Sequence, residues 1–192
     1  MVESPASTDS TRQDSAPAPA PRPQSTPELP EEDTSPSSDA ETPLAQFAVG
    51  TRENPAPFGS TARIGDWEVT PVSVDTDAES RVLAANMFNS PADNGFRYVI
   101  INVSATYVGE ESGSPFWDLS WKLLGNRGNT FDGRCGVIPD ALRDGGETFP
   151  GGVVTGNICI AAPEDQLAES AVIVEGLFQR ESRTFFAIPN RG

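Results

Sequence analysis

Alternation of apolar and polar residues is the feature that most constrains how this chain can fold. Between residues 98 and 107, valine, isoleucine, alanine and tyrosine occupy every second position, with Asn102, Ser104 and Thr106 between them. A second run alternates in the same way, with Trp117, Leu119, Trp121 and Leu123 separated by Asp118, Ser120 and Lys122. A period of two residues is typical of β-strands that bury one face.

Five further segments have the composition of strands, and turn-forming residues separate them. The segments are residues 60–64, 66–74, 153–162, 171–179 and 183–188, and glycine, proline, asparagine and aspartate are frequent between them. Seven short strands with such turns predict an all-β fold, an antiparallel β-sandwich, over residues 46–192. One short helix is predicted at residues 79–86.

Residues 1–45 differ in composition from the rest of the chain. They hold 9 of the 18 prolines and 13 serines or threonines, have a net charge of −7, and contain no aromatic residue. Such a segment cannot bury enough apolar surface to offset the entropy lost on ordering, so we predict a disordered tail. Its role is open between a spacer that holds the domain away from a surface, a terminus without a partner, and a proline-rich recognition segment. We favour the spacer.

Charge and composition exclude several classes of function. The chain has 28 acidic and 13 basic residues, a formal charge of −15, and no histidine. It therefore lacks the basic surface that binds nucleic acids, and it cannot form Ser-His pairs, Cys-His pairs or imidazole metal sites. The uncharged run at residues 98–109 has about half the length of a membrane-spanning helix. We predict no nucleic-acid partner and no transmembrane span.

One acidic loop has a pattern related to calcium loops. Asp75, Asp77 and Glu79 have the spacing of the first three ligands, but Ser80 stands at the glycine position and Asn86 at the twelfth position. We interpret residues 75–79 as a hydrated acidic loop, and a weak cation site stays open.

Catalytic patterns are equally weak. Ser120 and Lys122 lie two residues apart on one strand face, where a Ser-Lys nucleophile is conceivable. Because the intervening residues are predicted to face the core, that strand face is predicted to be wet and its lysine unperturbed. We predict no enzymatic activity, no cofactor and no metal site.

Several blocks together resemble a known family. They are GTRENP at 50–55, GDW at 65–67, ANMFN at 85–89, YVIINVSATY at 98–107, CGVIP at 135–139, FPGGVVTGNIC at 149–159 and FAIP at 186–189. Over residues 48–190 the chain resembles the uncharacterised immunoglobulin-like domain of actinobacterial cell-envelope and secreted proteins, which is related in fold to a secreted mycobacterial immunoprotective antigen. Family members carry a lipoprotein-type or single-span anchor followed by a spacer. The resemblance implies an extracellular or cell-envelope location, and we expect a leader or anchor to precede Met1 in the native protein.

The cysteine content predicts one disulfide bond. Cys135 and Cys159 are the only cysteines, so a single connectivity is possible. Two sulfurs without histidine cannot complete a zinc site of thiolates and imidazoles, and their spacing is not that of a redox pair. The alternative is two separate buried thiols in a reducing compartment. A bond would favour the extracellular or envelope location.

Two functions from different classes remain. The domain is either a binding module for an envelope protein, a peptide or a glycan, which we favour, or a passive structural spacer without a dedicated ligand. We predict a monomer. An exposed, contiguous patch of phenylalanines would favour binding, whereas burial of Phe88 and Phe96 would place them in the core. The predicted binding surface consists of Asn86, Met87, Phe88, Asn89, Phe96 and Phe116.

Overall fold

Eight strands and two short helices form the part of the chain that the computed structural model describes, residues 49–177 and 182–189. The predicted tail at residues 1–45 and the predicted domain start at residue 46 lie outside these residues. In chain order the elements are β1 (Ala62–Ile64), β2 (Trp67–Asp75), α1 (Glu79–Ala85), β3 (Phe96–Tyr107), α2 (Pro115–Asp118), β4 (Leu119–Leu124), β5 (Thr130–Phe131), β6 (Val153–Pro163), β7 (Ala171–Gly176) and β8 (Arg183–Ala187). Two 3-10 turns, Leu142–Gly145 and Glu164–Gln166, flank β6.

The strands form two antiparallel sheets that pack face to face. Sheet I has the order β1-β2-β3-β6 and sheet II has the order β5-β4-β7-β8. The chain crosses from sheet I to sheet II after β3, returns after β5, and crosses again after β6. This arrangement confirms the predicted immunoglobulin-like, all-β sandwich.

The main core lies between the two sheets and is built from alternate strand residues. Val99, Ile101 and Val103 of β3 are fully buried there, together with Trp67 of β2 and Phe186 of β8. These β3 residues are the apolar positions of the predicted alternation, so the period of two correctly identifies the inward face.

A second apolar cluster covers the outer face of sheet I. Tyr98 and Ile100 of β3 pack there with Val82 of α1 and with Cys135. The middle of β3 is therefore buried on both faces, which explains why four consecutive residues from Tyr98 onward are apolar. The predicted short helix at residues 79–86 is confirmed as α1, and this cluster is what it covers.

The prediction that Trp117 belongs to a strand facing the core is wrong. Residues 115–118 form the one-turn helix α2, and Trp117 is 63% exposed. Pro115 fits the first turn of a helix, where the missing N–H costs nothing. The Asp118 carboxylate then closes the turn by accepting a hydrogen bond from the Ser114 N–H at 2.9 Å. A single turn is too short to replace the period of two by a helical period.

Candidate functional site

Strand β4 has an open edge because β5 pairs with only the end of it. Leu123 of β4 lies opposite Phe131 of β5. If the same register continued, residue 133 would lie opposite Trp121. Instead, the Gly133 C=O accepts a hydrogen bond from the Ala161 N–H of β6 at 2.8 Å. The chain thus leaves sheet II for sheet I directly after β5.

The backbone of Trp121 points to this open edge. Successive residues of an antiparallel strand direct their N–H and C=O groups to opposite sides. The Asp118 C=O accepts from the Leu177 N–H at 2.8 Å, so Asp118 and Ser120 face β7, whereas Leu119 and Trp121 face away from it. Among the described residues, no backbone group pairs with the N–H or C=O of Trp121 on that side.

A groove of about 390 Å³ runs along this edge. Trp117, Leu119 and Trp121 line one wall, and residues 134–143 together with β6 form the other. Trp121 is half-buried and packs against the main core, while Trp117 is largely exposed. Phe116 also lines the groove, and its ring meets that of Trp117 edge-on at a centroid distance of 4.6 Å. The groove therefore presents three aromatic side chains beside strand backbone that has no backbone partner among the described residues.

Asp118 holds the aromatic wall in place. One oxygen of its carboxylate, Oδ2, accepts both the Ser114 N–H and the Trp67 indole N–H, each at 2.9 Å. Trp67 is buried, and its ring meets Tyr107 edge-on at a centroid distance of 5.0 Å. Because a buried indole N–H requires a hydrogen-bond acceptor, the contact with Asp118 links α2 to sheet I.

The opposite wall is fixed to β6 by a disulfide and an asparagine. The sulfur atoms of Cys135 and Cys159 are bonded to each other, and the Cα atoms of the two residues are 5.7 Å apart, within the usual range for disulfides. The buried Asn157 side chain donates to the Pro139 C=O at 2.8 Å, and the Asn157 N–H donates to the Asp140 C=O at 2.7 Å. These bonds keep residues 135–140 along the outer side of β6 rather than beside β4.

The charged residues that line the groove have a net charge opposite to that of the whole chain. They are Asp132, Arg134 and Arg143, and the formal charge of the chain is −15. Arg143 lies 3.7 Å from a carboxylate oxygen of Asp144, with both side chains exposed. In residues 49–177 and 182–189, no carboxylate pairs with Arg134. The groove lining thus has a small net positive charge on an acidic protein.

A buried carboxylate supports the outer face of sheet II behind β4. The Glu175 side chain is only 3% exposed. Its carboxylate forms ion pairs with the Lys122 ammonium, at 2.5 Å, and with the Arg183 guanidinium. Burial alone would raise the pKa of Glu175, but the hydrogen bonds and charges of Lys122 and Arg183 outweigh it and lower that pKa. The prediction of a wet strand face is therefore wrong, because the Lys122 face contains a buried ion-pair cluster.

Most residues of the predicted binding surface lie in the loop after α1. Met87 and Phe88 are 87% and 86% exposed, and Phe96 is 38% exposed. The Asn86 carboxamide oxygen accepts the Phe88 N–H at 2.8 Å, which shapes the turn that presents these two side chains. Phe88 and Phe96 thus lie outside the core.

Asn89 and Phe116 have different surroundings from the exposed loop residues. The Asn89 side chain donates to the Val82 C=O at 2.7 Å and to the Val137 C=O at 2.6 Å, and it accepts the Val137 N–H at 3.0 Å. It therefore ties the loop after α1 to the groove wall. Phe116 lines the groove, and in the described part of the chain no ring contact joins it to Phe88 or Phe96. Which of these residues contact a partner stays a prediction.

The acidic loop uses its carboxylates in contacts within the chain. Asp75 accepts the Asp77 N–H at 3.1 Å, Asp77 pairs with Arg97 at 2.7 Å, and Glu79 accepts the Ala92 N–H at 3.0 Å. Over residues 49–177 and 182–189, no three cysteine or acidic side chains are grouped as a metal site. No helix of these residues has the length and apolar character needed to cross a bilayer.

Three solved structures resemble this fold at low sequence identity. A conserved hypothetical protein from Bacillus anthracis is 13% identical over 67% of this chain and 93% of its own, with a TM-score of 0.45. An uncharacterised β-sandwich protein from Clostridium difficile 630 is 12% identical over 72% and 99%, with a TM-score of 0.46. The yjhA protein from Bacillus subtilis is 14% identical over 69% and 98%, also at 0.46.

Sequence comparison adds no relative to these structures. No known protein family and no curated protein sequence matches the chain. The resemblance to actinobacterial envelope domains and to the mycobacterial antigen stays a prediction.

Proposed function

We propose that this chain is a non-enzymatic binding module of the extracellular space or cell envelope, and that the groove beside β4 is its binding site. The observation that carries the proposal is the open edge at Trp121. Its backbone N–H and C=O face a groove of about 390 Å³ next to the exposed Trp117. Exposed aromatic side chains beside unpaired backbone are characteristic of surfaces that bind other molecules.

The chemistry of the groove favours binding over catalysis. Its polar side chains include Ser120 and Asn157, together with one aspartate and two arginines. Within the described residues, no carboxylate or amine is hydrogen-bonded to the Ser120 hydroxyl, and the Lys122 ammonium is held by Glu175. A nucleophile needs an adjacent base, which this arrangement does not supply.

The disulfide geometry supports the proposed location. Disulfides persist in oxidising compartments and are rare in the cytosol. The Cys135–Cys159 pair stabilises the groove wall itself, so location and site are linked in this proposal. A passive spacer domain is the competing function, and such a domain has no need of an open, aromatic strand edge.

Site-specific photocrosslinking in a cell-envelope preparation tests the proposal. A photoreactive benzoylphenylalanine replaces Trp117 in the groove, Phe88 in the predicted loop, or Val72, an exposed residue outside the groove lining. We expect one covalent adduct of defined mass from position 117, competed by excess unmodified protein, and none from position 72. Equal adduct yields at positions 117 and 72, or no adduct at either, would favour the passive spacer. An adduct from position 88 alone would overturn the groove assignment.

A further inference from the structure

We infer that the groove takes an extended peptide segment of a partner protein, added as a strand along β4, with an acidic side chain facing Arg134. This inference rests on the proposed function and names the class of partner for the same site. It follows from three observations on the groove: the backbone groups that have no backbone partner in residues 49–177 and 182–189, the side chains that flank them, and the local charge.

Three backbone groups of β4 are placed to bind a strand. They are the C=O of Leu119 and the N–H and C=O of Trp121, because the Leu119 N–H already donates to the Pro115 C=O. A peptide residue opposite Trp121 would exchange two hydrogen bonds with it, at the position that residue 133 would hold in a longer β5. Peptides that add to a sheet edge obtain affinity from such main-chain bonds.

The side chains around the edge suit the alternation of a strand. The groove floor and walls include Ile158 and Ile160 of β6, and exposed Trp117 and Leu177 lie at the α2 end. Alternate side chains of an added strand point to opposite faces. One set would contact these apolar residues while the other remains in solvent, so we expect apolar residues at every second peptide position.

The charge of the groove favours an acidic peptide. Arg134 is exposed and has no carboxylate partner in residues 49–177 and 182–189, and Arg143 has only a long, exposed contact with Asp144. Charged groups at a rim select partners of complementary sign and increase the rate of association. An aspartate or glutamate beside the strand contact would supply that complement.

A peptide fits these observations better than a glycan or a second copy of the chain. A glycan offers no strand backbone, so it would leave the N–H and C=O groups of Trp121 without their regular pairing. Two copies carry a formal charge of −15 each and repel one another, whereas a short peptide with one acidic side chain carries little charge. The partner is therefore assigned as an extended segment of another protein.

Selection from a library of random decapeptides tests the inference. The full chain is used as bait, and a selected peptide is synthesised and titrated by calorimetry. The same peptide is then N-methylated at one amide at a time. We expect methylation of alternate amides to weaken binding by about tenfold and methylation of the intervening amides by less than about threefold, because only amides that face β4 donate to it.

The charge is tested with a matched pair of arginine variants. Arg134→Gln should weaken binding of an acidic peptide severalfold and reduce its salt dependence. Arg63→Gln, at an exposed arginine of β1 outside the groove lining, should leave both unchanged. Circular dichroism confirms that both variants are folded.

The outcomes separate this inference from the proposed function. A library that yields no binding peptide, an N-methyl scan without alternation, or a dimer of the chain formed through β4 would each overturn strand addition. If position 117 still crosslinks to an envelope molecule in those cases, the groove remains a binding site and only the peptide assignment fails. Alternation in the scan together with loss of affinity in Arg134→Gln supports the inference.

Discussion

The edges of β6 and β4 face the same groove, but the backbone groups of β6 are hydrogen-bonded along it and those of β4 at Trp121 have no backbone partner among the described residues. Along β6, the Ala161 N–H is bonded to Gly133 and the Asn157 N–H to Asp140, so the edge is covered by the segment that follows β5. Along β4, the position opposite Trp121 has no strand partner among the described residues. One edge is closed and the other is open.

A single change of partner produces both edges. After β5, the chain stops pairing with β4 and pairs with β6 from Gly133 onward. This segment therefore covers the edge of β6 and leaves Trp121 of β4 without a strand partner among the described residues. Proteins usually protect exposed strand edges because unpaired backbone recruits other chains. Here the covering segment is bonded to β6 by the disulfide and by Asn157, which prevents it from pairing with β4. Because the covering segment is held on β6, the edge of β4 at Trp121 stays open.

Removal of the disulfide should have the largest effect on stability, because the disulfide holds the segment that covers the edge of β6. Cys135→Ala releases a loop with a sequence separation of 24 residues, and the chain-entropy relation gives a loss of about 3.5 kcal/mol in the free energy of unfolding. We expect the thermal midpoint to fall by several degrees in calorimetry. Reduction of the wild type should reproduce the loss and add two hydrogens to the intact mass. Two thiols that alkylate in the native, unreduced protein would contradict the bond.

Loss of the buried ion pairs at Glu175 should destabilise sheet II, the sheet that carries the open edge of β4. Glu175→Gln removes a carboxylate that accepts from Lys122 and Arg183, and hydrogen bonds to charged groups of this kind contribute about 2 kcal/mol to stability at neutral pH. Because the pKa of Glu175 is lowered in the folded protein, its stabilisation is present above the ordinary carboxyl pKa and is lost as the pH falls through the lowered value.

Chemical denaturation across pH measures both effects. The stability difference between wild type and Glu175→Gln should be largest at neutral pH and should shrink on acidification. Glu110→Gln, at an exposed turn residue, serves as the matched control and should remain close to wild type. A difference that is constant across the acidic range would show that Glu175 does not titrate as described.

The amide network of the closed edge should contribute less. Asn157→Ala removes the bond to the Pro139 C=O and leaves the Asn102 amide, which donates to Asn157 at 3.0 Å, without that partner. We expect a loss of about 1.5 kcal/mol in the free energy of unfolding. Asn126→Ala is the control, since its side chain is exposed and makes one long bond of 3.4 Å. Equal effects of the two substitutions would mean that Asn157 does not hold the covering segment.

The two tryptophans that line the groove should contribute different amounts to the free energy of unfolding. Trp117→Ala should change the free energy of unfolding by less than about 0.5 kcal/mol, because the side chain is largely exposed. Trp121→Ala should cost about 2 kcal/mol, since that ring packs partly against the main core. Urea denaturation of both variants checks this order. A large loss in Trp117→Ala would show that the ring is structural rather than available to a partner.

Sequence periodicity predicts the strands well because burial of one face imposes it over many residues. It identifies β3 and the inward positions Val99 and Ile101. It cannot identify β5, since two residues are too few to show a period. It also misassigns Trp117, because the single turn of α2 leaves the alternation of the flanking residues undisturbed.

The groove depends on contacts that no local pattern encodes. The change of partner at Gly133 involves β4 and β6, which are distant in sequence. The Glu175 cluster has a weak signal, an isolated acid in an apolar strand with Lys122 on another, but the signal becomes visible only once the register between β4 and β7 is known. The predicted binding surface combines loop residues around Phe88 with Phe116. Of that set only Phe116 lines the groove, so the prediction misses the strand edge itself.

Amide hydrogen exchange measured residue by residue tests the open edge of β4 most directly. The N–H groups of Ser120 and Lys122 face β7, and the Ala161 N–H of the closed edge is bonded to Gly133, so we expect these three to exchange slowly. The Trp121 N–H, between two protected neighbours, should exchange much faster in the free protein. A Trp121 amide as strongly protected as those of Ser120 and Lys122 would contradict the open edge and the binding site built on it.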